Sequence, residues 1–562
     1  MKKKFLYILL APALIGLFGC ENNLDTVPQG DTVTDKQKEE VYANDPSKAA
    51  AGVNGIFAQF STYMPNYDAI GSRHNDFGYP SVMMFTDANG YDQVQTDIGY
   101  NWAGNNLDYS DRLHTSRECQ IIWNDMYAII ANSNRVIGAI DPETTEPLTK
   151  FYLAQGLAAR SFSYWVLAQL FQFNYVGHET AACVPIVTDE NSEIVAFDGA
   201  PRATVQEVYD LMLADLNTAI AMLEDAQDEG VMRADKRYID LAVAYGLRAR
   251  VNLTMHNYVA AAADATSAID ESSAMPAAIT DVNKPSFVSV SEGNWMWGII
   301  IAETDPVVTS GIVNYPSHLG SLNWGYAWYN GGRQINKKLF NSMPATDVRK
   351  GWFLDENLSS PNLDAEQAAT MAYVGYPAYT HVKFAPYNNV NETSTNANDI
   401  PLMRIEEMHL IKAEAEAMSG GNGVTTLENF IKTYRDPDYV CPVSGTTAVQ
   451  DEVWRHRRIE FWGEGMNWFD IMRLNKGVDR RGCGYPNPSM IFNIEAGDQI
   501  LVWRLPEAEI QANKALEESD NNPSAPIPNP VPDVDPAGSA ELKSGYTNSR
   551  QLKPESIFRS YK

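Results

Sequence analysis

Cysteine is scarce in this chain, which has five among 562 residues. The first, Cys20, ends an N-terminal apolar segment, and the others are Cys119, Cys183, Cys441 and Cys483. Cysteines so few and so widely spaced do not make a disulfide framework. Cys441 and Cys483 both fall in predicted loops and could pair in an oxidising compartment. Two unrelated free thiols are the favoured alternative.

Motifs of the common catalytic and cofactor sites are also missing. The eight histidines show no His-Glu-Xaa-Xaa-His spacing, and no cysteines are spaced as Cys-Xaa-Xaa-Cys, so a dedicated zinc site is not supported. There is no Gly-Xaa-Ser-Xaa-Gly elbow, phosphate loop or dinucleotide fingerprint. We therefore predict no cofactor, no metal and no catalytic residue. A glycosidase stays open, because its two carboxylates need no fixed spacing.

Positive charge is in short supply, with 43 Lys and Arg against 71 Asp and Glu. The formal net charge of −28 argues against a nucleic-acid partner and suits a soluble, exposed surface. Aromatic residues, in contrast, are plentiful. They make up 11% of the chain and include twelve tryptophans, so some of them are candidates for a role outside the core.

The N-terminal apolar segment, from Phe5 to Phe18, follows three lysines and is too short for a stable membrane span. It ends in Leu-Phe-Gly-Cys, which resembles the cleavage site of a bacterial lipoprotein. We therefore predict a signal peptide at 1–19, acyl chains such as palmitate on Cys20, and a polar lipidated tether at 20–44. The alternative is an ordinary signal peptide whose cysteine is incidental.

Helical periodicity dominates much of the remaining chain. Asp45-Pro46 suits a helix start, and Thr204 to Glu207 has the pattern of a capping box that opens another helix. Further helices are predicted at 118–140, 151–173, 239–253 and 258–269, and from Leu402. Alanine-rich helices joined by close linkers are typical of a tetratricopeptide-like scaffold. The predicted fold is mostly α, a helical-repeat scaffold with long irregular and β-containing insertions.

We predict a single helical domain over 45–520, interrupted by insertions near 61–110 and 274–400. Both segments lose the helical period, and the first is rich in Gly, Asn, Asp and Tyr. Loops of that length are commonly functional. The C-terminal extension, 521–562, begins with a Pro- and Asn-rich segment for which we predict no packed structure.

The two insertions carry the candidate ligand-binding residues. Sugar rings present apolar C–H faces and a rim of hydroxyls, so a glycan site needs flat aromatic platforms with amides or carboxylates at the edge. The candidates are Trp102, Asn105, Asp108, Tyr109, Trp324, Tyr326, Trp328 and Asn330. Alternatively, these rings pack the insertions onto the scaffold. Trp295 and Trp297 alternate in a predicted strand, so at most one faces a ligand and core positions are favoured.

One stretch near the C-terminus, 455–473, combines alternating charge with apolar residues at helical spacing. A glycine pair at 463 and 465 is predicted to break it into two helices. Glu460 and Glu464 lie beside tryptophans and need cationic partners. The candidate partners are Arg455, Arg457, Arg458 and Arg473. A catalytic acid and base is the alternative, but crowding arginines would lower the pKa of both carboxyls and spoil a general acid.

This stretch resembles the C-terminal signature of the SusD/RagB family, outer-membrane lipoproteins that capture glycans or peptides beside a TonB-dependent transporter. The matching residues are Arg457, Arg458, Glu460, Phe461, Glu464, Gly465, Trp468, Phe469, Asp470 and Arg473. Looser matches run over nearly the whole chain, including Leu24-Asp25 and Arg404-Ile405-Glu406-Glu407. In the family the signature is scaffold, so the resemblance implies a SusD-like fold and names no site.

The resemblance also implies a function. It indicates a cell-surface lipoprotein, anchored to the outer membrane by its lipid, that binds an oligosaccharide or polysaccharide and hands it to a SusC-like TonB-dependent transporter without transforming it. Three alternatives stay open. They are the same fold binding peptides or another nutrient, a carboxylate-based glycoside hydrolase, and a helical-repeat adaptor that binds another protein.

Overall fold

The computed structural model describes residue 41 and residues 45–62, 75–95, 104–310 and 314–534. The predicted signal peptide, Cys20, Trp102 and the end of the C-terminal extension therefore lie outside the described residues. Among the helices in the described ranges, none has both the length and the apolar character that crossing a membrane requires.

Most of the described secondary structure is helical, which confirms the predicted mostly α fold. The helices of the N-terminal half are α1 (Ala49–Gln59), α2 (Tyr79–Asn89), α3 (Gly104–Asp108), α4 (Arg117–Ile137), α5 (Pro147–Phe171), α6 (Ser192–Asp198), α7 (Val205–Asp228), α8 (Leu241–Thr254), α9 (Tyr258–Glu271) and α10 (Ile279–Val282). Those of the C-terminal half are α11 (Pro306–Thr309), α12 (Tyr315–Leu319), α13 (Tyr326–Tyr329), α14 (Lys337–Asn341), α15 (Ala365–Val374), α16 (Ile405–Met418), α17 (Gly423–Tyr434), α18 (Thr446–Glu460), α19 (Asn467–Arg473) and α20 (Glu507–Ala512).

The strands are short and form antiparallel pairs. They are β1 (Gln93–Val94), β2 (Ala182–Pro185), β3 (Arg202–Thr204), β4 (Trp295–Ile299), β5 (Gln334–Ile335), β6 (Ile400–Arg404), β7 (Val478–Asp479) and β8 (Asn493–Ile494). β1 pairs with β5, β2 with β3, β4 with β6, and β7 with β8. The pairs β1–β5 and β4–β6 join parts of the chain that are far apart in sequence.

Long helices that pack side by side form the scaffold. α4 packs on α5, α5 on α7, α7 on α8, α8 on α9, α9 on α16, and α16 on both α17 and α18. Side-chain caps fix two of the helix starts: Thr204 and Glu207 form the predicted capping box, and Asp240 accepts a hydrogen bond from the N–H of Val243 at 2.9 Å. Helices that each bury a face against their neighbours are characteristic of a helical repeat.

The first insertion contains a helix where the sequence predicted only a loop. Every residue of α2 is buried, and Pro80 occupies its first turn. A helix buried on all sides has no polar face, so its sequence shows no 3.6-residue period. The prediction of a continuous loop was therefore wrong for this segment.

The second insertion is fastened to the scaffold by β4 and β6. The strand predicted around Trp295 and Trp297 is present as β4, and both tryptophans are fully buried, in agreement with the favoured core positions. The indole N–H of Trp297 donates to the carbonyl of Arg237 at 2.8 Å. The helix predicted from Leu402 begins instead at Ile405, because the preceding residues pair with β4.

One large apolar core runs through the scaffold, and two small clusters lie apart from it. One of these, which we call the satellite cluster, consists of Leu322, Leu354, Met371, Tyr376 and Val382. All of its members belong to the second insertion, so this insertion has some apolar core of its own.

The described part of the C-terminal extension packs against the domain although it has little regular structure. Asn522 is buried, and its side-chain amide donates to the carbonyls of Phe171 and Trp503, both at 2.7 Å. The N–H of Val531 donates to the carbonyl of Ile491 at 2.8 Å. The prediction of no packed structure was wrong here, because composition cannot reveal hydrogen bonds to distant backbone groups.

Candidate ligand-binding surface

The stretch 455–473 lies in a buried ion-pair network. Glu460, the last residue of α18, is completely buried and accepts hydrogen bonds from three arginines. These are Arg349 at 3.2 Å, Arg404 at 3.1 Å and Arg435 at 2.8 Å. Glu464 pairs with Arg404 at 2.8 Å and with the Lys383 ammonium at 2.6 Å. Both carboxylates therefore have the cationic partners that their burial requires.

The arginines of the stretch itself bind other carboxylates. Arg457 pairs with Asp470, Arg458 with Asp92, Arg473 with Glu414 and Asp470, and Arg455 with Glu452. The prediction that they neutralise Glu460 and Glu464 was wrong. The actual partners are Arg404 at the end of β6, Arg435 after α17, and Arg349 and Lys383 of the second insertion. Only the folded chain brings these residues to the end of α18.

Neighbouring arginines lower the pKa of the buried carboxyls of Glu460 and Asp470. Burial would raise the pKa of Glu460, but the three arginines around it, Arg435 above all, hold that pKa well below its usual range. For Asp470, burial also acts to raise the pKa, and the neighbouring arginines outweigh it and lower the pKa. A carboxyl that stays ionised cannot donate a proton as a general acid. The network has the properties of a structural element, and its ionised carboxyls are unsuited to the role of general acid.

Aromatic rings of the second insertion form an accessible surface. Trp324, Trp328 and Tyr329 are half-buried, and Tyr373 on α15 is 78% exposed. The ring centroids of Trp328 and Tyr373 are 6.3 Å apart, and those of Trp324 and Tyr329 are 6.0 Å apart, both pairs in edge-to-face geometry. We call these four side chains the ring surface.

Buried residues of the same segment hold the ring surface in place. Tyr326 is 6% exposed, and its ring stacks on His318 with centroids 4.7 Å apart. Its N–H donates to the hydroxyl of Ser317 at 3.0 Å. Asn330 is also buried, and its N–H donates to the carbonyl of Tyr326 at 3.1 Å. Tyr326 and Asn330 were predicted to contact ligand, but their burial makes them anchors of the segment instead.

Polar groups border the ring surface. The N–H of Trp324 donates to the carbonyl of Thr393 at 2.9 Å. The carbonyl of Trp324 accepts from the side-chain amide of Asn396 at 3.1 Å. Glu392 is exposed and accepts from the hydroxyl of Thr370 at 2.8 Å. Asn396 and Thr370 are buried and hold the loop in place, whereas the exposed Glu392 carboxylate can accept from the hydroxyl rim of a sugar whose apolar face contacts the rings.

The candidates of the first insertion occupy different environments. Asn105 is exposed, and its amide donates to both carboxylate oxygens of Glu118 at 3.2 Å. Asp108 is half-buried. Tyr109 is fully buried, and its hydroxyl donates to the carbonyl of Asn89 at 2.5 Å. Tyr109 has no accessible ring face, so its environment is that of a core residue and contradicts the ligand role.

Pairing of β1 with β5 joins the two insertions. Val94 lies opposite Gln334, and the N–H of Asn336 donates to the carbonyl of Asp92 at 2.9 Å. These contacts are made shortly before the Asn105 segment and shortly after the ring-surface segment. The two groups of candidates therefore belong to directly connected parts of the fold.

Tyr373 is the one ring-surface residue besides Tyr329 that is not among the candidates predicted from the sequence. This residue lies on α15, which begins with a capping box of Asp364 and Gln367. Only Thr370 and Met371 of this helix are buried, so most of its surface faces solvent. The available signal was a tyrosine on a helix that needs few core residues, and that signal is weak without knowledge of the neighbouring tryptophans.

Two protein-family models match the chain. The first, described as starch-binding and associating with the outer membrane, matches residues 75–253. The second, described as the SusD family, matches residues 325–533. Together they span more than half of the sequence, and they include the ring surface and the 455–473 stretch.

The chain is also similar to individual SusD-like proteins. Two SusD-like proteins from Formosa agariphila are 24% and 25% identical to this chain over 436 and 411 residues, which are 71% and 64% of this chain and 79% and 73% of theirs. The crystal structure of a SusD-like carbohydrate binding protein from Bacteroides vulgatus superposes with a TM-score of 0.69 at 23% identity, covering 86% of this chain and 98% of that one. A laminarin binding SusD-like protein superposes with a TM-score of 0.58 at 16% identity, covering 85% and 99%.

The fold and these matches agree along most of the chain. The helical scaffold is shared with the solved SusD-like structures, and all signature residues of the 455–473 stretch except the half-buried Arg458 are buried, with their charged members held in ion pairs. The chain belongs to the SusD/RagB family.

Proposed function

We propose that this protein binds an oligosaccharide or polysaccharide on the ring surface. The observation that carries the proposal is the position of Tyr373, which is 78% exposed and lies 6.3 Å from Trp328. An aromatic pair left in water contributes little to folding, whereas it offers a flat apolar platform to a ligand. The starch-binding description of one matching family model supports a glycan ligand.

Polar groups at the edge of the ring surface would fix the orientation of the sugar. The amide of Asn391 donates to the hydroxyl of Thr370 at 2.6 Å, while its carbonyl oxygen has no hydrogen-bond partner among the described residues. Glu392, next to it, is exposed. The exposed carboxylate of Glu392 is an acceptor that sugar hydroxyls can satisfy, whereas the Asn391 carbonyl oxygen is buried and lies beneath this edge.

We further propose that the protein hands its ligand unchanged to a SusC-like TonB-dependent transporter while lipid on Cys20 anchors it at the outer-membrane surface. The outer-membrane description of the family model and the N-terminal Leu-Phe-Gly-Cys sequence support this part. Binding without catalysis is supported by the 455–473 stretch, whose acidic residues are occupied in ion pairs. Co-purification of such a transporter with tagged protein from outer membranes would test the partnership, and its repeated absence would count against it.

The binding proposal can be tested with purified protein that lacks the lipid. Affinity electrophoresis and calorimetry against a panel of polysaccharides, oligosaccharides and peptides should show glycan binding that is lost in the Trp328→Ala, Tyr373→Ala double variant. Phe197→Ala is a matched control, because Phe197 is an aromatic residue on α6 with 74% exposure. Peptide binding alone would favour the alternative nutrient, release of reducing sugar would favour a hydrolase, and no binding at all would contradict the proposal.

A further inference from the structure

Arg333 is a buried cation with no carboxylate partner among the residues that the structure describes. Its side chain is 1% exposed, and neither terminal nitrogen of the guanidinium has a hydrogen-bond partner among the described residues. The backbone around it is well fixed, since its carbonyl accepts from the N–H of His381 at 3.0 Å. The fold therefore fixes the backbone at Arg333, while no carboxylate of the described residues pairs with its charge.

The other fully buried arginines show how this protein ordinarily treats such a group. Arg349 pairs with Asp347 at 2.6 Å, and Arg435 with Glu460 at 2.8 Å. Arg480 has no carboxylate partner but donates to five backbone carbonyls, at distances of 2.6–3.3 Å. Buried polar groups in proteins are almost always satisfied, and an isolated buried charge is costly. Arg333 therefore needs an explanation that these three do not.

The second group at this position is the hydroxyl of Tyr376, a member of the satellite cluster. Tyr376 is 2% exposed, and its hydroxyl also lacks a partner among the described residues. Arg333 directly follows Gly332, whose backbone lies against the Tyr376 ring, and the guanidinium and the hydroxyl do not hydrogen-bond to each other. Gly332, at φ +76°, brings the backbone against the tyrosine ring, because a Cβ there would lie 2.9 Å from its Cδ1.

Both groups are hydrogen-bond donors at neutral pH. Burial lowers the pKa of Arg333, but only to about 10, so the guanidinium stays charged. Burial raises the pKa of the Tyr376 hydroxyl, so this group stays protonated. His381, whose pKa burial lowers to about 3, is neutral and brings no negative charge. Two donors with one net positive charge form an environment that favours an acceptor carrying negative charge.

We propose that Arg333 and Tyr376 bind a small inorganic anion of about the size of chloride. Such an ion can accept hydrogen bonds from both groups and neutralise the guanidinium, which a water molecule cannot do. Because both side chains are buried, an acidic group carried by a large ligand cannot reach them. Neither residue belongs to the ring surface, and the inference does not depend on glycan binding.

Bromide provides a direct crystallographic test, because its anomalous scattering distinguishes it from water. Crystals of the protein grown in sodium bromide should give an anomalous peak within hydrogen-bond distance of the Arg333 guanidinium and the Tyr376 hydroxyl. The peak should weaken in Tyr376→Phe and vanish in Arg333→Gln. A water molecule at this position without anomalous signal, or no density at all, would overturn the proposal.

Stability in solution provides a second test that needs no crystals. At constant ionic strength, the thermal midpoint of the wild type should rise as sodium isethionate is replaced by sodium chloride, because an ion that binds only the folded state stabilises it by mass action. Tyr376→Phe keeps the ring in the satellite cluster and should show a smaller rise, and Arg333→Met should show none. Equal midpoints of the wild type in the two salts would refute a chloride site.

Discussion

Trp328 and Tyr373 approach each other edge to face, with ring centroids 6.3 Å apart and ring planes 73° apart. Trp328 belongs to the short helix α13, and Tyr373 is near the end of α15. Neither ring is needed to complete the large apolar core, to which neither belongs. This pair is therefore the part of the ring surface whose loss should change ligand binding most and stability least.

Tyr373→Ala should weaken glycan binding by roughly two- to tenfold. Aromatic contacts contribute about 0.5–1.5 kcal/mol beyond burial of area, and about 1.4 kcal/mol corresponds to a tenfold change in Kd. Tyr373→Phe keeps the ring and should bind almost normally if stacking is the main interaction. Calorimetric titration of the three proteins with the best glycan of the panel decides this, and equal affinities for Tyr373→Ala and wild type would remove Tyr373 from the site.

Glu460→Gln should destabilise the protein by about 3–5 kcal/mol, since it leaves Arg349, Arg404 and Arg435 without the carboxylate they share. Denaturant unfolding measures the change. A matched control is Asp281→Asn, which removes an exposed carboxylate 2.9 Å from Lys284 and should change stability little. Similar small losses in both variants would show that the buried network is not stabilising.

The stability difference between Glu460→Gln and the wild type should depend on pH. The pKa of Glu460 is lowered on folding, so its ionised form stabilises the protein above the pKa of the unfolded state and this contribution is lost as the pH falls. The difference in the free energy of unfolding between the two proteins should shrink as the pH falls from about 5 toward 2. A difference that is constant over this range would contradict the lowered pKa.

The scaffold could be predicted because its signals are local. The capping box at Thr204 and Glu207 and the amphipathic helices beside it specify their structure within a few residues, and the structure has them at the predicted places. Helix α2 could not be predicted because it is buried on every side. Strand β6 was mistaken for helix because its partner, β4, lies far away in the sequence.

The candidate site was predictable only in part, for a similar reason. Composition identified the segment with Trp324 and Trp328, but it could not show which residues of that segment turn inward. Tyr326 faces His318, and this stacking partner is not evident from the sequence. Tyr373 was missed because its neighbour Trp328 is on another helix. The partners of the ion-pair network were misassigned for the same reason, since a fold brings together residues that local spacing does not.

Asp87→Asn should change how stability depends on pH. Burial, above all, raises the pKa of Asp87 to about 8, although the N–H of Gly465 donates to its carboxyl at 3.1 Å. The folded state thus holds a proton that the unfolded state releases near pH 4, so this contribution to stability is complete below about pH 4 and is lost as the pH rises to about 8. Over that range the variant should gain stability relative to the wild type. Parallel profiles from urea unfolding would contradict this.

Cys20→Ser should release the protein from membranes. Acyl chains on the cysteine are the expected attachment, and a serine cannot carry them in the same linkage. Labelling of cells with radioactive palmitate should mark the wild type but not Cys20→Ser, and the variant should move to the soluble fraction. Cys441→Ser, which changes a half-buried free thiol, should keep both the label and the membrane attachment. A labelled Cys20→Ser protein would show that the lipid is attached elsewhere.

Gly465→Ala should test how tightly the turn between α18 and α19 is packed. Gly465 has φ +71°, and a Cβ there would lie 2.6 Å from the Cβ of Met83 on α2. Two costs therefore add: about 1–2 kcal/mol for the left-handed backbone and about 1–3 kcal/mol for the overlap. Gly497→Ala isolates the first cost, because Gly497 has φ +75° but nothing within 4 Å of its added Cβ. Urea unfolding should give the larger loss for Gly465→Ala. Equal losses would mean that α2 moves away at no cost, and that the signature turn does not fix the first insertion in place.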